Sequence, residues 1–274
     1  MKVDVQALGT FNRLAHEGAE HAAASLSQLT GVRPTVETTK IDLVERGAAG
    51  EEFGDFVGVE MAFHGDIAGR TVLAVEAASA DALTDALPVG GDTREQVTEV
   101  GNILIGGFLE AWADSLGTAI DIEPPAYVSG TGNEVVPDDA PLGPDGQVFS
   151  FRSQLRTTAE EIDASIYLFP EETAFAGALA ETGGDAPVPI DKLAVFNKMA
   201  RRGAGNASDH LTSMTGIETT VDVSRISFAP VEEVPAQIAD ERHVGVVLEF
   251  TGLPSGYLLV LFDVDSARRV ADAL

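Results

Sequence analysis

The strongest constraint on this chain is an internal repeat, because one order of elements is predicted three times: a long helix, a strand, a β-hairpin and a short helix. The first and third hairpins are alike in detail, VGVEMAFHGDIAGRTVLAV at residues 57–75 and VGVVLEFTGLPSGYLLVLF at residues 244–262. Hairpins beside long helices are typical of an α+β fold. The sequence therefore predicts three modules of about ninety residues, with an antiparallel sheet packed on one side of the long helices.

The element boundaries follow from apolar periodicity and from the glycines that stop helices. Long helices are predicted at residues 5–29, 93–116 and 190–214, each followed by a glycine. The other predicted elements are strands at residues 34–44, 56–63, 71–75, 120–128, 148–155, 162–169, 219–228, 244–250 and 257–262, and short helices at residues 79–87, begun by a serine cap, 171–181 and 264–273.

Two segments lie outside the repeat. Residues 129–146, SGTGNEVVPDDAPLGPDG, are rich in Gly, Pro and Asp and are predicted to form a long surface loop, and residues 183–189 are predicted to be a linker. The acidic residues of the first segment do not have the ligand spacing of an EF-hand, so no metal site is predicted. The chain is accordingly divided into a two-module domain at residues 1–189 and a third half-module at residues 190–274.

The charge of the chain excludes several classes of partner. It has 17 Lys and Arg against 44 Asp and Glu, a net charge of −27, which repels nucleic acid and anionic membrane surfaces. The acidic residues are spread along the whole chain rather than gathered in a tail, which is typical of adaptation to high salt. The chain contains no cysteine and no apolar run long enough to span a membrane, so we expect a cytoplasmic, halophilic protein without membrane insertion.

The middle long helix, TREQVTEVGNILIGGFLEAWADSLG, carries the most unusual group of polar residues. Glu95, Glu99 and Asn102 are spaced four and then three residues apart, which places two carboxylates and a carboxamide on one stripe of the helix. The chain has no P-loop, no GxSxG elbow and no HExxH motif. Spacing alone leaves two interpretations open, a solvated polar stripe and a functional site.

Three glycines interrupt the same helix, at Gly101, Gly106 and Gly107. Each costs about 1 kcal/mol of helix propensity relative to alanine, so a compensating gain is expected. A glycine in a helix permits the close approach of another backbone, either inside the protein or on a docking partner.

The stretch EVGNILIGGFLEAWADSLG at residues 99–117 resembles the active-site helix of the CheC family of chemotaxis phosphatases, whose signature is ExxN. Three more stretches are similar to that family: HAAASLSQLTG, the two related hairpins, and GAGNASDHLTSMTG at residues 203–216. Together they extend over nearly the whole chain. The resemblance implies CheC-like modules and a chemotaxis signalling protein.

What the resemblance implies in chemical terms is a hydrolase that removes the aspartyl phosphate from the response regulator CheY. Asn102 would orient the attacking water, and Glu99 would pair with a lysine of the regulator. Glu95 would support them. No cofactor is expected on this chain, because the family leaves the Mg²⁺ ion in the acidic pocket of the regulator.

The other two long helices depart from the family signature. Alignment with the family places Arg13 and His16 on the first helix, and Lys198 and Arg201 on the third, where Glu and Asn would stand. We interpret both as degenerate sites without catalytic function. A single catalytic site on the middle helix is therefore predicted.

Two further expectations concern partners. An odd number of modules leaves strand edges unpaired, so the third half-module is predicted to form a homodimer or to bind a partner. Two functions remain open: the enzyme that dephosphorylates CheY, which the retained Glu99 and Asn102 favour, and a noncatalytic adaptor that binds CheY, the receptor deamidase CheD or a motor switch component.

Overall fold

The computed structural model describes residues 2–3, 5–51, 53–87, 91–143, 146–157, 162–171, 188–220, 226–228, 234, 242–251 and 256–273. The helix predicted at residues 171–181 lies outside this range but for Glu171, as do residues 183–187 of the predicted linker and residues 221–225 of the strand predicted at 219–228. Among the described residues, no helix is both long and apolar enough to cross a membrane.

Described helices are α1 (Val5–Thr30), α2 (Ala80–Asp85), α3 (Thr93–Leu116), α4 (Ile190–Thr215) and α5 (Val264–Ala273). The described strands are β1 (Lys2–Val3), β2 (Thr35–Glu45), β3 (Asp55–Gly65), β4 (Gly69–Glu76), β5 (Ile120–Ile122), β6 (Ala126–Thr131), β7 (Gln147–Arg156), β8 (Asp163–Pro170), β9 (Val188–Pro189), β10 (Ile226–Phe228), β11 (His243–Phe250) and β12 (Gly256–Asp263).

The three long helices confirm the predicted boundaries to within a residue. Each is followed by a glycine in the left-handed conformation, with φ of 75° at Gly31, 63° at Gly117 and 70° at Gly216. Glycine adopts this conformation without steric cost, so it ends the helix where the sequence places it.

One local prediction, the serine cap of α2, is wrong. Ser79 has φ −92° and ψ −10°, and its side chain makes no capping hydrogen bond. Instead its Oγ accepts a hydrogen bond from the backbone N–H of Asp163, 3.2 Å away on β8. A 3₁₀ turn at Ala77–Ser79 leads into α2 and replaces the extended residue that a side-chain cap requires.

The main sheet is antiparallel and interlocks the first two modules. Its order is β10-β2-β7-β8-β4-β3-β5, and β6 also pairs with β3. Strand β2 of the first module lies on β7 of the second, whereas β6 of the second lies on β3 of the first. The two hairpins meet through β4 and β8 at the centre. The α+β prediction is confirmed, and each module obtains a strand from the other.

Helices α1 and α3 pack against one face of this sheet and build the larger core. An aromatic cluster joins both helices to the sheet, with the Trp112 and Phe151 ring centroids 5.2 Å apart and Phe11 5.7 Å from Trp112. All three side chains are buried. The helices approach closely at Gly18, where a Cβ atom would lie 2.9 Å from the Phe108 ring.

The opposite face of the sheet is partly covered by the predicted surface loop. Residues 135–143 lack regular structure and expose Asp138 and Asp139, as predicted, but the segment is not wholly on the surface. Residues 126–131 form β6, and Val135 and Val136 are buried in a second apolar cluster with Tyr167. The Arg46 guanidinium donates hydrogen bonds to the Val136 carbonyl (3.1 Å) and the Asp138 carboxylate (2.7 Å), which hold the segment in place. The apolar pair inside a polar stretch provides enough burial to hold it against the sheet.

A capping box holds the turn that follows β6. The Glu134 carboxylate accepts hydrogen bonds from the Thr131 backbone N–H at 2.9 Å and from its hydroxyl at 3.1 Å. These two bonds hold the pKa of Glu134 below its ordinary value, and the backbone hydrogen bond has the larger effect.

Two compact units divide the chain, residues 1–197 with 225–231, and residues 198–224 with 232–274. The first contains the main sheet with α1, α2 and α3. The second contains the end of α4, the hairpin of β11 and β12, and α5. The predicted domains at 1–189 and 190–274 stay a prediction.

Candidate functional site

Helix α3 carries the candidate site, and the chain fixes both of its ends. The Asp92 side chain caps the first turn by accepting a hydrogen bond from the Glu95 backbone N–H at 2.8 Å. At the other end Gly117 and Thr118 donate backbone hydrogen bonds to the Asp114 and Ala113 carbonyls. These caps satisfy backbone groups that a helix leaves unpaired and therefore hold α3 in register.

Arg94 further anchors the start of α3. Its guanidinium lies over the Tyr127 ring of β6, 5.1 Å from the centroid. Neither residue belongs to a sequence motif, and nothing in the local pattern indicates that they meet.

Two of the three glycines in α3 allow close packing inside the protein. A Cβ atom at Gly101 would lie 2.6 Å from the Val59 Cβ on β3, and one at Gly107 would lie 3.2 Å from the Ser25 Oγ on α1. Gly101 thus brings α3 onto the sheet, and Gly107 brings it against α1. For these two positions, the packing interpretation accounts for the glycine.

The third glycine has a different environment. A Cβ atom at Gly106 would meet no described heavy atom within 4 Å. Gly106 lies four residues after Asn102 and seven after Glu99, so it belongs to the same helical stripe. Within the described part of the chain, no close contact requires a glycine here or compensates for its low helix propensity.

The predicted stripe is present and faces outward. Glu95, Glu99 and Asn102 are exposed, whereas the opposite side of α3 is buried. Within the described residues, neither the Glu99 carboxylate nor the Asn102 carboxamide has a hydrogen-bond or ion-pair partner. Structure thus brings these groups together on one surface and leaves them available to another molecule.

The side chains of this stripe are suited to binding and positioning. A carboxamide provides both a donor and an acceptor without titrating, and a carboxylate accepts from a cationic side chain. No group of three or more His, Asp or Glu side chains suited to a metal ion occurs among the described residues. These groups suit the orientation of a water molecule and an ion pair with a partner.

The corresponding stripe on α1 carries Arg13 and His16, which lie close to acidic neighbours one helical turn away. Arg13 Nε lies 3.8 Å from the Glu17 carboxylate, and His16 Nε2 lies 3.7 Å from that of Glu20. His16 Nδ1 is also 3.5 Å from the Thr39 hydroxyl. These exposed pairs contribute little stability, and they present no carboxylate and carboxamide like those on α3.

The corresponding positions of α4 are Lys198, which is exposed, and Arg201, which is half-buried. Neither residue type provides a carboxylate or a carboxamide. That α1 and α4 are degenerate sites stays a prediction.

A cleft on the opposite face of the sheet has no counterpart in the sequence analysis. It has a volume of about 420 Å³ and lies between the sheet and the segment after β6. Its charged side chains come from distant parts of the chain, and among them Arg46 pairs with Asp138 at 2.7 Å. Arg70, which lies beside the cleft, pairs with Glu60 at 3.7 Å and with Asp139. The pairs with Asp138 and Asp139 hold the segment on the sheet, and no local motif signals them.

Comparison with known proteins agrees with the architecture. The model of the CheC-like family matches residues 97–129, which include Glu99 and Asn102. A protein of Halobacterium salinarum with the name putative CheY-P phosphatase CheC1 is 29% identical over 188 residues, 65% of this chain and 96% of its own. The crystal structure of FliY from Thermotoga maritima shares the fold, with a TM-score of 0.50, 15% identity, and 65% of this chain and 96% of that chain covered.

The motif, the relative and the fold agree with one another. The family match includes most of the helix that carries the stripe, and the relative is similar over 65% of this chain. This chain is therefore similar to the CheC-like family at residues 97–129 and to the Halobacterium CheC1 protein over 65% of its length.

Proposed function

We propose that this protein is a chemotaxis phosphatase that hydrolyses the aspartyl phosphate of a phosphorylated CheY response regulator at the exposed stripe of α3. The observation that carries the proposal is the position of Glu99 and Asn102. Both side chains are exposed on one face, lack a partner among the described residues, and lie within the segment that matches the CheC-like family. The name of the Halobacterium relative supports the same substrate.

In the proposed reaction Asn102 holds a water molecule in line with the phosphorus atom. Its carboxamide accepts one hydrogen bond from the water, while its NH₂ group can donate to a phosphoryl oxygen. Glu99 pairs with a lysine of the regulator and sets the position of α3 against the phosphorylation site. Because phosphoryl transfer depends mainly on positioning and electrostatics, two such groups are sufficient when the regulator supplies the Mg²⁺ ion.

Gly106 supports the docking step of this proposal. A helix that meets another protein along one stripe gains from a residue without a side chain, because the two backbones can approach closely. The glycine has open space above it rather than a neighbour from its own chain. Glu95 extends the stripe toward the start of α3 and is proposed as a supporting contact.

The test follows the decay of phosphorylated CheY in molar KCl with the full chain and with Asn102→Ala and Glu99→Gln variants. The wild type is expected to accelerate decay. The catalysed rate with Asn102→Ala should be lower by on the order of 100-fold, the cost of removing one positioning group. His16→Ala is the matched control, because it occupies the equivalent helical position on α1 and should leave the rate unchanged.

A different outcome would select the second function. If the wild type and Asn102→Ala leave CheY decay unchanged while CheY or CheD binding is retained, the protein is a noncatalytic adaptor. If His16→Ala lowers the rate as much as Asn102→Ala does, the assignment of a single site on α3 is wrong.

A further inference from the structure

The hairpin of β11 and β12 repeats the hairpin of β3 and β4 pair for pair. Val57 lies opposite Val75, and Val244 lies opposite Phe262; all eight pairs agree when 187 is added to each number. Both hairpins also have a glycine at the same place, Gly58 and Gly245, where a Cβ atom would collide with the facing strand. The third module therefore has the same hairpin as the first, with the same register.

The environments of the two hairpins differ sharply. Strand β4 is buried on both faces, including Val72 and Leu73. The corresponding residues of β12, Leu259 and Val260, are 48% and 40% exposed. A strand that is apolar on both faces is typical of the interior of a sheet, where neighbours cover both faces and both edges. In the described structure β12 has β11 on one edge only.

The long helix of the third module also exposes apolar side chains. With the closing glycines Gly117 and Gly216 aligned, Phe196 corresponds to Val97 and Met199 to Val100. Val97 and Val100 are fully buried in the core, whereas Phe196 is 54% exposed and Met199 66% exposed. Exposed apolar patches of this kind mark a surface that another molecule covers.

The first two modules show how such a hairpin is covered. Strands β4 and β8 both have eight residues, and they pair antiparallel with Gly69 opposite Pro170. The first position of one strand thus lies opposite the last position of the other, so the contact has a pseudo-twofold axis at its centre. A contact of this type is self-complementary, because each strand makes the same set of pairs.

We propose that β12 pairs antiparallel with β12 of a second copy of this chain, in the register in which β4 pairs with β8. Strand β12 also has eight residues, so Leu259 would lie opposite Val260 of the partner subunit, and Leu258 opposite Leu261 of the partner subunit. The dimer completes a two-hairpin sheet of the kind that the first two modules form within one chain.

Charge is compatible with a second copy despite the net charge of −27. No charged residue lies between Gly256 and Phe262 on β12, so pairing of two such strands brings no carboxylates face to face. The other acidic residues of the two chains repel each other over longer distances, and at molar salt this repulsion is screened because the Debye length is about 3 Å. The dimer should therefore be more stable in molar KCl than in dilute buffer.

The absence of cysteine allows a direct test of the register in the full chain. Single variants Leu258→Cys and Leu261→Cys are mixed and oxidised in molar KCl, and Leu259→Cys is mixed with Val260→Cys in the same way. Neighbouring positions of an antiparallel ladder alternate between wide and narrow pairs, and the narrow pair suits a disulfide. At least one mixture should give several-fold more disulfide-linked dimer than either of its members alone.

The control mixes Leu258→Cys with Val246→Cys, because Val246 lies on β11, away from the proposed contact. Light scattering on the wild type in molar KCl should give a mass near twice 28.6 kDa at high protein concentration. A monomer at all concentrations overturns the proposal. A dimer in which neither mixture exceeds the control overturns it as well, because that dimer would use another surface.

Discussion

Replacing Gly106 by alanine should stabilise the protein, although the residue lies on the proposed site. The new methyl group meets no described heavy atom within 4 Å, so it introduces no strain. Glycine in a helix interior is about 1 kcal/mol less favourable than alanine, and the free energy of unfolding should rise by about that amount. For a domain of roughly 150–250 residues this corresponds to an increase in Tm of about 2–4 °C.

The other two glycines of α3 are matched controls on the same helix. Gly101→Ala places a Cβ atom 2.6 Å from the Val59 Cβ, so helix and sheet must move apart; a loss of about 1–3 kcal/mol is expected. Gly107→Ala meets the Ser25 Oγ at 3.2 Å, a side chain that can rotate away, so its gain should be smaller than that of Gly106→Ala. Urea and thermal unfolding in molar KCl measure the order of stability of the three variants.

Two results would refute this reasoning. If Gly106→Ala is less stable than the wild type with an unchanged m-value, the exposed stripe has a neighbour that the structure does not show. If Gly101→Ala is as stable as the wild type, α3 does not depend on its close approach to the sheet. CheY decay on the same variants adds a functional readout: a slower rate with a raised Tm for Gly106→Ala supports docking on this stripe.

Two further predictions concern charge. Thermal stability should rise with KCl concentration from about 0.1 M to 1 M, because the Debye length falls from about 10 Å to 3 Å and screens the net charge of −27; a flat Tm would contradict this. Asp263 accepts hydrogen bonds from Ser266 that hold its pKa below the ordinary 3.8, so it stabilises the start of α5 above about pH 4 and loses this effect as the pH falls through its folded pKa. Asp263→Ala should lower the protection factors of the α5 amides at neutral pH, and unlike the wild type it should lose no further protection in acid; unchanged protection factors would show that the cap is not needed.

Some features could be predicted because their signals are local. The three long helices end at glycines whose positive φ is a property of one residue and its neighbours, and the prediction was accurate there. The stripe of Glu99 and Asn102 could also be predicted, since residues three and four apart share a helix face wherever the helix lies.

Other features depend on residues far apart in the chain. Local signals suggested a cap at Ser79, but its hydroxyl binds Asp163 of another module instead. The segment after β6 has the composition of a loop, yet Val135 and Val136 are buried against the far face of the sheet. Composition describes the average of a segment, whereas burial depends on the surface that the rest of the chain provides.

The amino-acid sequence by itself determined the repeat, the helix ends, the outward stripe on α3 and the high net charge, because each follows from residue type and short-range spacing. Tertiary structure alone decided which strands meet, since the exchange of β2 and β6 between modules joins segments more than fifty residues apart. It also distinguished the three glycines of α3: Gly101 faces the sheet, Gly107 faces α1, and Gly106 faces open space. In the third module, an identical hairpin register leads to exposure rather than burial, because burial needs a partner surface that a local pattern cannot supply.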